Sequence, residues 1–298
     1  MVKLGDVCTI NPRLPKNANP EQEVTFLAMA AVSEKGEISS QETRILHETK
    51  KGFTYFERGD VLLAKITPCF ENGKATLTNN LNTQIGFGST EFHVLRAFPD
   101  LILPEFIFYL VWNERFRIAA AKEMTGSAGQ KRVSTDYLKE YKFYLPSIFE
   151  QEKIVAALNK GYSIHRKRQQ AIKLADDFLR AKFLEMFGTP ANNIHRFPTG
   201  KIRDLVDSVN YGTSAKASID SGEYPILRMG NITYQGGWDF TDLKYLDLSV
   251  KEKDKFLVKE GDLLFNRTNS KELVGKTAVY EENRPMAFAG YLIRVRPN

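Results

Sequence analysis

Short apolar runs separated by turn residues occur in both halves of the chain. Residues 61–66 and 263–265 are apolar runs, the first interrupted by Lys65, and each follows a Gly-Asp pair. Runs of this kind between Gly, Asn and Asp turns are typical of buried β-strands. The apolar and aromatic run 141–145 predicts one more strand. Both halves of the chain are therefore expected to be rich in strands.

Pro104 begins a segment that predicts a helix to about Met124. Pro is favoured in the first turn of a helix, where its missing N–H is not needed. The apolar residues of this segment lie almost all round the helix, which is typical of a buried helix. We therefore expect one continuous buried helix, followed by a flexible polar loop at residues 126–132.

Residues 147–187 predict a much longer helix. Ser147 and Glu150 have the spacing of a capping box, and Gly188 and Pro190 supply stop signals. The 37 residues after Glu150 alone would form a helix of about 55 Å, too long to lie wholly on one small domain. Apolar side chains at an imperfect heptad spacing predict coiled-coil packing against another helix. The candidate packing residues are Leu158, Ile172, Leu179, Phe183 and Met186.

The sequence contains an internal repeat with an offset of about 200 residues. The matching segments follow one another in the same order in both copies. They are 3–7 with 201–205, 24–32 with 224–232, 57–63 with 259–265, 73–75 with 275–277, and 92–94 with 293–295. The second copy stops at Asn298, before any counterpart of residues 104–145, so we expect an incomplete repeat.

Composition and charge narrow the class of protein. The 298 residues are 42% hydrophobic and 26% charged, which favours about two globular domains. No signal peptide or membrane span is indicated, and Cys8, Cys69 and the scattered histidines have no disulfide or zinc pattern. A cytoplasmic protein is expected. The net charge of +6 is a mild indication of an anionic partner such as DNA.

Three segments resemble known catalytic motifs, but each lacks residues that the motif requires. Residues 270–277 end like a phosphate-binding loop, but Ser270 stands in the place of its first Gly. Residues 86–91 lack the third Gly of a dinucleotide motif, and Asn11-Pro12-Arg13-Leu14 lacks the residues with which an amino-methyltransferase clamps a base. We therefore expect no catalytic centre and no metal site. The Gly-Asp pairs are interpreted as turns before buried strands.

Polar and basic residues follow equivalent strands in the two copies. Arg and Asn recognise bases, while Ser, Thr and Lys contact phosphates or bases. The alternative is that these loops are polar because water surrounds them. Because the set occurs twice in a repeated frame, we favour DNA binding. The candidates are Lys65, Thr67, Asn72, Lys74 and Lys131 in the first copy, and Arg228, Asn231, Arg267, Asn269, Ser270 and Lys276 in the second.

The order of these parts resembles the DNA specificity subunits of type I restriction–modification systems. The resemblance is carried by the paired segments 4–7 and 202–205, and by Tyr224-Pro225-Ile226-Leu227-Arg228-Met229-Gly230-Asn231-Ile232. Gly-Asp-Leu-Leu-Phe-Asn-Arg at 261–267, the Leu-Pro…Glu-Gln…Ile-Val run at 145–155 and the helix end at 183–188 add to it. Together these segments extend over essentially the whole chain.

The resemblance implies an α+β fold with two β-rich target-recognition domains joined by a long coiled-coil-type helix. The domains would be residues 1–146 and 189–298, with the spacer helix at 147–188 and the end of the second domain and a second spacer helix missing. The chain would be non-catalytic and would read a two-part site in double-stranded DNA. A repeat-built protein-interaction scaffold and a stand-alone DNA-modifying enzyme remain alternatives.

The resemblance also implies partner proteins. A methyltransferase subunit would bind S-adenosylmethionine, and a restriction subunit acting as motor and nuclease would use ATP and magnesium, so this chain would hold no cofactor. In the family, a second helix covers the apolar side chains of the spacer helix, and that second helix is missing here. A homodimer through the spacer helix is therefore a further possibility. No membrane partner is expected.

Overall fold

The computed structural model describes residues 1–127, 129–189 and 191–298. The chain forms two compact units, residues 1–182 and 183–298. The fold is mixed α+β, with β-rich regions on either side of a long helix, as the sequence predicted.

The first unit contains short strands and helices. Its strands are β1 (Val2–Lys3), β2 (Cys8–Ile10), β3 (Glu23–Leu27), β4 (Glu42–Ile45), β5 (Thr54–Glu57), β6 (Val61–Ala64), β7 (Ala75–Leu77), β8 (Ile85–Gly88), β9 (Phe92–Ala97) and β10 (Lys142–Phe143). Its helices are α1 (Leu46–Thr49), α2 (Pro104–Trp112), α3 (Glu114–Lys122), α4 (Thr135–Glu140) and most of α5 (Ile148–Phe187). Short 3-10 helices occupy Leu4–Asp6 and Met29–Ala31.

Two four-stranded sheets form the β-rich part of this unit. One has the order β2-β9-β6-β7 and is antiparallel throughout. The other has the order β4-β3-β8-β5, in which β3 and β8 are parallel. The main core lies between the first sheet and helices α2 to α4, and strand β6 is buried along its whole length. A small antiparallel sheet pairs β1 with β10.

The second unit repeats both sheets of the first unit, but its copy of the second sheet has three strands instead of four. Its strands are β11 (Val206–Tyr211), β12 (Tyr224–Leu227), β13 (Lys244–Leu246), β14 (Leu263–Asn266), β15 (Thr277–Val279), β16 (Ala287–Phe288) and β17 (Leu292–Pro297). Helix α6 is Val250–Phe256, and 3-10 helices occupy Ile202–Leu205 and Met229–Asn231. The sheet orders are β11-β17-β14-β15 and β13-β12-β16.

The internal repeat is thus confirmed by the order and direction of the strands. One of the five sequence matches is wrong by a residue. Ala64 pairs with Phe92 in the first copy, and Asn266 pairs with Leu292 in the second. Phe92 therefore corresponds to Leu292, and His93 to Ile293. The correction matters because a shift of one residue moves a side chain to the other face of a sheet.

An ion pair between a buried aspartate and a partly exposed arginine holds the same two strands together in each copy. Arg96 donates two hydrogen bonds of 2.8 Å to the carboxylate of Asp60. Arg296 donates two of 2.7 Å to that of Asp262. Both carboxylates also accept the backbone N–H three residues earlier, from Glu57 or Lys259. The Gly-Asp turns therefore do more than start a strand.

The helix predicted from Pro104 to Met124 is divided in two. Asn113 adopts an extended backbone between α2 and α3, and its side chain accepts the N–H of Arg115 as an N-cap. Asn competes with the helical backbone for hydrogen bonds, which is why it is favoured at caps and not inside helices. The division leaves α2 facing the core, while Ile118 of α3 is exposed.

The segment after α3 is closed by a pairing between its two ends. Thr125 and Arg132 form a β-bridge with each other, and Ala128 lies outside the described residues. Helix α4, which the sequence analysis did not predict, follows with Ser134 as its N-cap. The predicted strand at 141–145 is present only as the two residues of β10.

Helix α5 has 40 residues and is therefore about 60 Å long. The predicted capping box is present, since Ser147 and Glu150 exchange hydrogen bonds. Gly188, with a φ of 69°, ends the helix and donates its N–H to the carbonyl of Leu184. The second predicted stop residue, Pro190, lies outside the described residues.

Only the beginning of α5 packs on the first unit. The buried amide of Gln151 accepts the N–H of Leu103 and donates to the carbonyls of Leu101 and Pro146. One turn further on, Val155 is buried, and about three turns after Gln151, Tyr162 donates its hydroxyl to the carbonyl of Lys35. Residues 163–187 are exposed, including four of the predicted packing residues. These four are Ile172, Leu179, Phe183 and Met186, and Leu158 is 42% exposed.

The ion pairs predict that each unit can be destabilised separately. Asp60→Asn removes the buried charge that pairs with Arg96 and leaves the weaker pair of Arg96 with Glu57. Asp262→Asn removes the buried charge that pairs with Arg296 and lies 3.8 Å from Arg294. We expect a loss of about 2–3 kcal/mol in the free energy of unfolding for each, at the low end for a broken ion pair because the arginines are partly exposed. Trp112 lies in the first unit and Trp238 in the second. Urea unfolding of variants that keep one tryptophan should therefore report each loss separately.

The matched control is Asp100→Asn, because Asp100 is exposed and outside both sheets. It should leave both urea midpoints unchanged. An Asp60→Asn chain with the midpoint of the parent protein would show that the pair does not stabilise the sheet.

Candidate nucleic-acid interface

Most of the predicted polar residues of both copies gather at one end of the antiparallel four-stranded sheet. We call this the loop end, which is where β6 ends and β9 begins in the first copy, and where β14 ends and β17 begins in the second. The loops 65–74 and 267–276 connect two adjacent strands there. They share a backbone frame, since the N–H of residue 65 or 267 bonds to the carbonyl of residue 91 or 291. The two copies therefore present different side chains on one scaffold.

In the first copy, three of the predicted residues come together. The N–H of Thr67 bonds to the carbonyl of Lys131, and the N–H of Val133 bonds to the carbonyl of Lys65. The 65–74 loop and the 125–133 segment thus lie side by side. Lys131 is exposed and Lys65 is half-buried. Two positive charges and a hydroxyl stand at this loop end.

The other two predicted residues lie on the far side of the same loop. The amide of Asn72 donates to a carboxylate oxygen of Glu34 at 2.9 Å. The ammonium of Lys74 donates to the carbonyl of Met29 at 3.3 Å. Both side chains thus tie the loop to the segment around the first copy's second 3-10 helix. The charge of Lys74 is not neutralised by this contact, because a carbonyl is uncharged.

An ion pair that the sequence analysis missed stands beside these residues. Arg132 donates two hydrogen bonds of 2.9 Å to Glu91, and these bonds lower the pKa of the Glu91 carboxyl. Next to Glu91, the buried His93 bonds to the carbonyl of Val133 at 2.8 Å. Burial lowers the pKa of His93. This neutral histidine and the ion pair fix the 125–133 segment against β9.

In the second copy, Arg228, Asn231 and Arg267 line one cleft of about 700 Å³. The cleft is also lined by Thr213, Lys244 and Tyr291. Three cationic side chains around one concave surface suit an anionic ligand, although Asp239 and Asp242 line it as well. The second copy thus offers a concave candidate site.

Two of these three predicted residues are engaged within the domain. Arg228 pairs with the carboxylate of Asp242 at 2.8 Å. Asn231 is buried, accepts the N–H of Arg228, and donates to the carbonyls of Asp239 and Asp242. With both ends of its amide in use, Asn231 supports the wall of the cleft.

The remaining predicted residues belong to the 267–276 loop. Arg267 and Asn269 are exposed, and Ser270 is half-buried. The guanidinium of Arg267 lies 4.7 Å from the ring centre of Tyr211, and the ammonium of Lys276 lies 4.7 Å from that of Tyr234. These are cation–π distances. Each basic residue at the ends of the loop therefore rests on an exposed tyrosine.

The tyrosines at this loop end were not predicted. Tyr211, Tyr234 and Tyr291 are all more than half exposed. They are far apart in the sequence, and only strand pairing brings two of them to the loop end, since β11 ends at Tyr211 and Tyr291 precedes β17. No strand was predicted next to Tyr211 or Tyr291, so the sequence did not bring them together.

Catalytic and metal chemistry find no support in the described part of the chain. No group of three or more His, Cys, Asp or Glu there is placed to hold a metal ion. The loop-like motif at 270–277 leads into strand β15, not into a helix, and residues 86–88 lie inside strand β8. Neither geometry cradles a phosphate as the complete motifs do.

No helix among the described residues is both long and apolar enough to cross a membrane.

Comparison with known proteins identifies the family. The family of type I restriction modification DNA specificity domains matches residues 1–174. The EcoAI specificity subunit of Escherichia coli is 31% identical over 268 residues, which cover 87% of this chain and 45% of that protein. The EcoEI specificity subunit of Escherichia coli is 32% identical over 270 residues, covering 88% and 45%. The chain spans less than half of the length of either relative.

A solved structure supports the same fold. It concerns complex assembly and conformational transition of the type I R-M system, and its matching chain is 22% identical with a TM-score of 0.57. The match covers 100% of this chain and 75% of that one. Because the family match extends over more than half of the residues, the chain belongs to the type I restriction–modification DNA specificity family.

Proposed function

We propose that this chain binds double-stranded DNA and sets the sequence specificity of a type I restriction–modification complex. The observation that carries the proposal is the pair of loop ends, which share one backbone frame and carry different polar and basic side chains. A shared frame places both loops equivalently, while different side chains select different bases. The family and its relatives support the same function.

We propose further that the two copies read separate halves of the target. The readers would be residues 1–146 and 189–298, with the spacer helix at 147–188 between them. In the first reader, Lys65, Thr67 and Lys131 face DNA, with Asn72 and Lys74 beside them. In the second, Arg267, Asn269, Ser270 and Lys276 do so, and Arg228 and Asn231 shape the cleft.

In this proposal the chain is not itself an enzyme. A methyltransferase subunit with S-adenosylmethionine, and a restriction subunit with ATP and magnesium, would carry out the chemistry. The incomplete catalytic motifs support this division of labour. The complex would act on chromosomal DNA, and we propose that it does so in the cytoplasm.

The exposed part of α5 supports a protein partner. Ile172, Leu179, Phe183 and Met186 are each about 60% exposed on one helix. An apolar stripe of this kind is typical of a surface that another helix covers. We propose that the same helix of a second copy packs against it antiparallel, with helices of the methyltransferase subunit as the alternative.

The proposed function is tested by expressing the chain with its methyltransferase partner and mapping the methylated sites of the host genome. A two-part recognition sequence that disappears when this chain is deleted would support it. A scaffold that binds only protein predicts no sequence preference. Turnover by the purified chain alone with DNA, magnesium and S-adenosylmethionine would identify an enzyme instead.

Phosphate contacts predict a change in the salt dependence of binding. Lys131→Ala and Lys276→Ala should each lower the slope of log affinity against log salt by about one, since each lost contact retains about one counterion. Affinity of the assembled complex for the mapped duplex, measured at several salt concentrations, gives the slope. Lys259→Ala is the matched control, because Lys259 precedes β14 at the opposite end of the sheet. Equal slopes for all three variants would contradict the assignment.

Exchange of the first reader should change one half of the target. Replacing residues 1–145 by the same region of another family member transfers the complete first loop end. We expect the half-site read by the first copy to change and the other to stay, as seen by methylation mapping. A change in both halves would contradict the two-reader proposal.

The exposed apolar stripe of α5 predicts that the chain associates with a second copy of itself. The purified chain should have the mass of a dimer at tens of micromolar by light scattering, because each covered side chain contributes about 1.5–3 kcal/mol. Ile172→Asp and Leu179→Asp should each shift it to a monomer. A monomer in the parent protein and in both variants would show that this helix does not pair with its own copy.

A further inference from the structure

The arginines around the cleft of the second copy differ in what their side chains already bind. Arg228 is held by Asp242, with both an ion pair and a hydrogen bond to the carbonyl of that residue. Arg267 forms no side-chain hydrogen bond or ion pair with any residue that the structure describes. Its contact is the ring of Tyr211. Arg267 therefore keeps its full set of N–H donors for a ligand.

The backbone of Arg267 is fixed on both sides. Its N–H donates to the carbonyl of Tyr291 at 2.9 Å. The preceding residue, Asn266, is fully buried, and its amide donates to the carbonyl of Leu273 across the loop. The side chain of Arg267 thus projects from a rigid point at the end of β14.

Tyr211 is equally well fixed. It is the last residue of β11 and pairs with Ile293 of β17. The next residue must be Gly212, because a Cβ there would lie 2.3 Å from the carbonyl oxygens of Phe288 and Ala289. The N–H of Gly212 bonds to the carbonyl of Leu292, and this close approach of two backbones leaves Tyr211 little freedom.

A guanidinium stacked on an aromatic ring has a defined orientation. The ring occupies one face of the planar group, and the N–H donors point outward in the plane. A fork of this geometry matches the two acceptors N7 and O6 of guanine in the major groove. A phosphate can also accept from arginine, but it does not require a fixed plane, and the neighbouring Lys271 and Lys276 can supply that contact.

We propose that Arg267 reads a guanine in the half-site of the second copy, and that Tyr211 is the positioning residue that orients it. This rests on the proposed function, since it names the base and the residue pair within that site. Arg228 takes no part in base selection, because its Nη2 is bound to both the carboxylate and the carbonyl of Asp242 and its Nε is buried.

The first copy provides a comparison. Lys65 stands where Arg267 stands, since both donate their N–H to the residue before the last strand of the sheet. Lys65 has no aromatic ring contact among the described residues, and lysine cannot form the two-pronged pair. The two halves of the target should therefore differ in how this position is read.

The test uses the full chain with its methyltransferase partner and a pool of randomised duplexes, sequenced after selection by binding. The parent complex should enrich a two-part motif with a fixed guanine in the second half. Arg267→Ala and Arg267→Lys should each reduce the preference for that guanine by about 10- to 100-fold, and leave every other position unchanged. Tyr211→Leu should reduce the preference at that same position, and Tyr211→Phe should restore it because the ring is kept.

Two controls separate this effect from a loss of fold. The preference in the first half-site of the same chain must persist, and the fluorescence of Trp238 must stay that of the parent. Arg228→Lys should leave the guanine preference intact.

The remaining outcomes of the experiment would contradict the inference. An equal loss of affinity for all sequences on Arg267→Ala would make Arg267 a phosphate contact. An unchanged motif on Arg267→Lys or Tyr211→Leu would also overturn the inference, while the enriched motif would leave the proposed function standing. Failure of the parent complex to enrich any motif would overturn both.

Discussion

A buried aspartate that begins one strand and an arginine near the end of the adjacent strand hold each main sheet in register. Asp60 pairs with Arg96 and Asp262 with Arg296 through two hydrogen bonds each. These bonds raise the pKa of both guanidinium groups, so the arginines stay charged. Because side chains alternate between the faces of a strand, this register decides which residues arrive at the opposite end of the sheet. The loops there depend on a contact that lies a strand's length away.

The two copies carry different side chains on this common frame. The first carries the ion pair of Glu91 and Arg132 beside two lysines. The second carries exposed tyrosines under its basic residues and has a cleft next to them. In both copies a rigid sheet carries loops whose side chains differ. A binding site needs this arrangement when its specificity must change without loss of the fold. The copies share the ion pair of the buried aspartate and the backbone frame of the loops, and they differ in the side chains that the loops carry.

The sequence predicted the two strands that follow the Gly-Asp turns, the repeat and both ends of α5, because these depend on local patterns: apolar runs, Gly-Asp turns, a capping box and a terminal glycine. It failed where a single residue decides between two local structures, as at Asn113, which caps one helix instead of continuing another. It also could not place Tyr211 beside Arg267, because that contact arises from the pairing of strands that are distant in the chain. The chosen polar loop residues gather where expected, but Asn231 and Arg228 prove to be engaged in their own domain.

The small sheet of β1 and β10 has a consequence for how the protein is made. It joins Val2 and Lys3 to Lys142 and Phe143, the ends of the first β-rich region. A pairing between residues so far apart in sequence is slow to form, because a long loop must close first. On the ribosome, β1 must wait until Lys142 and Phe143 have been synthesised before its partner exists. The neighbouring Leu4, which is fully buried in the finished fold, stays without its contact to Tyr141 over that interval. The first unit therefore completes its fold only as the long helix begins to emerge.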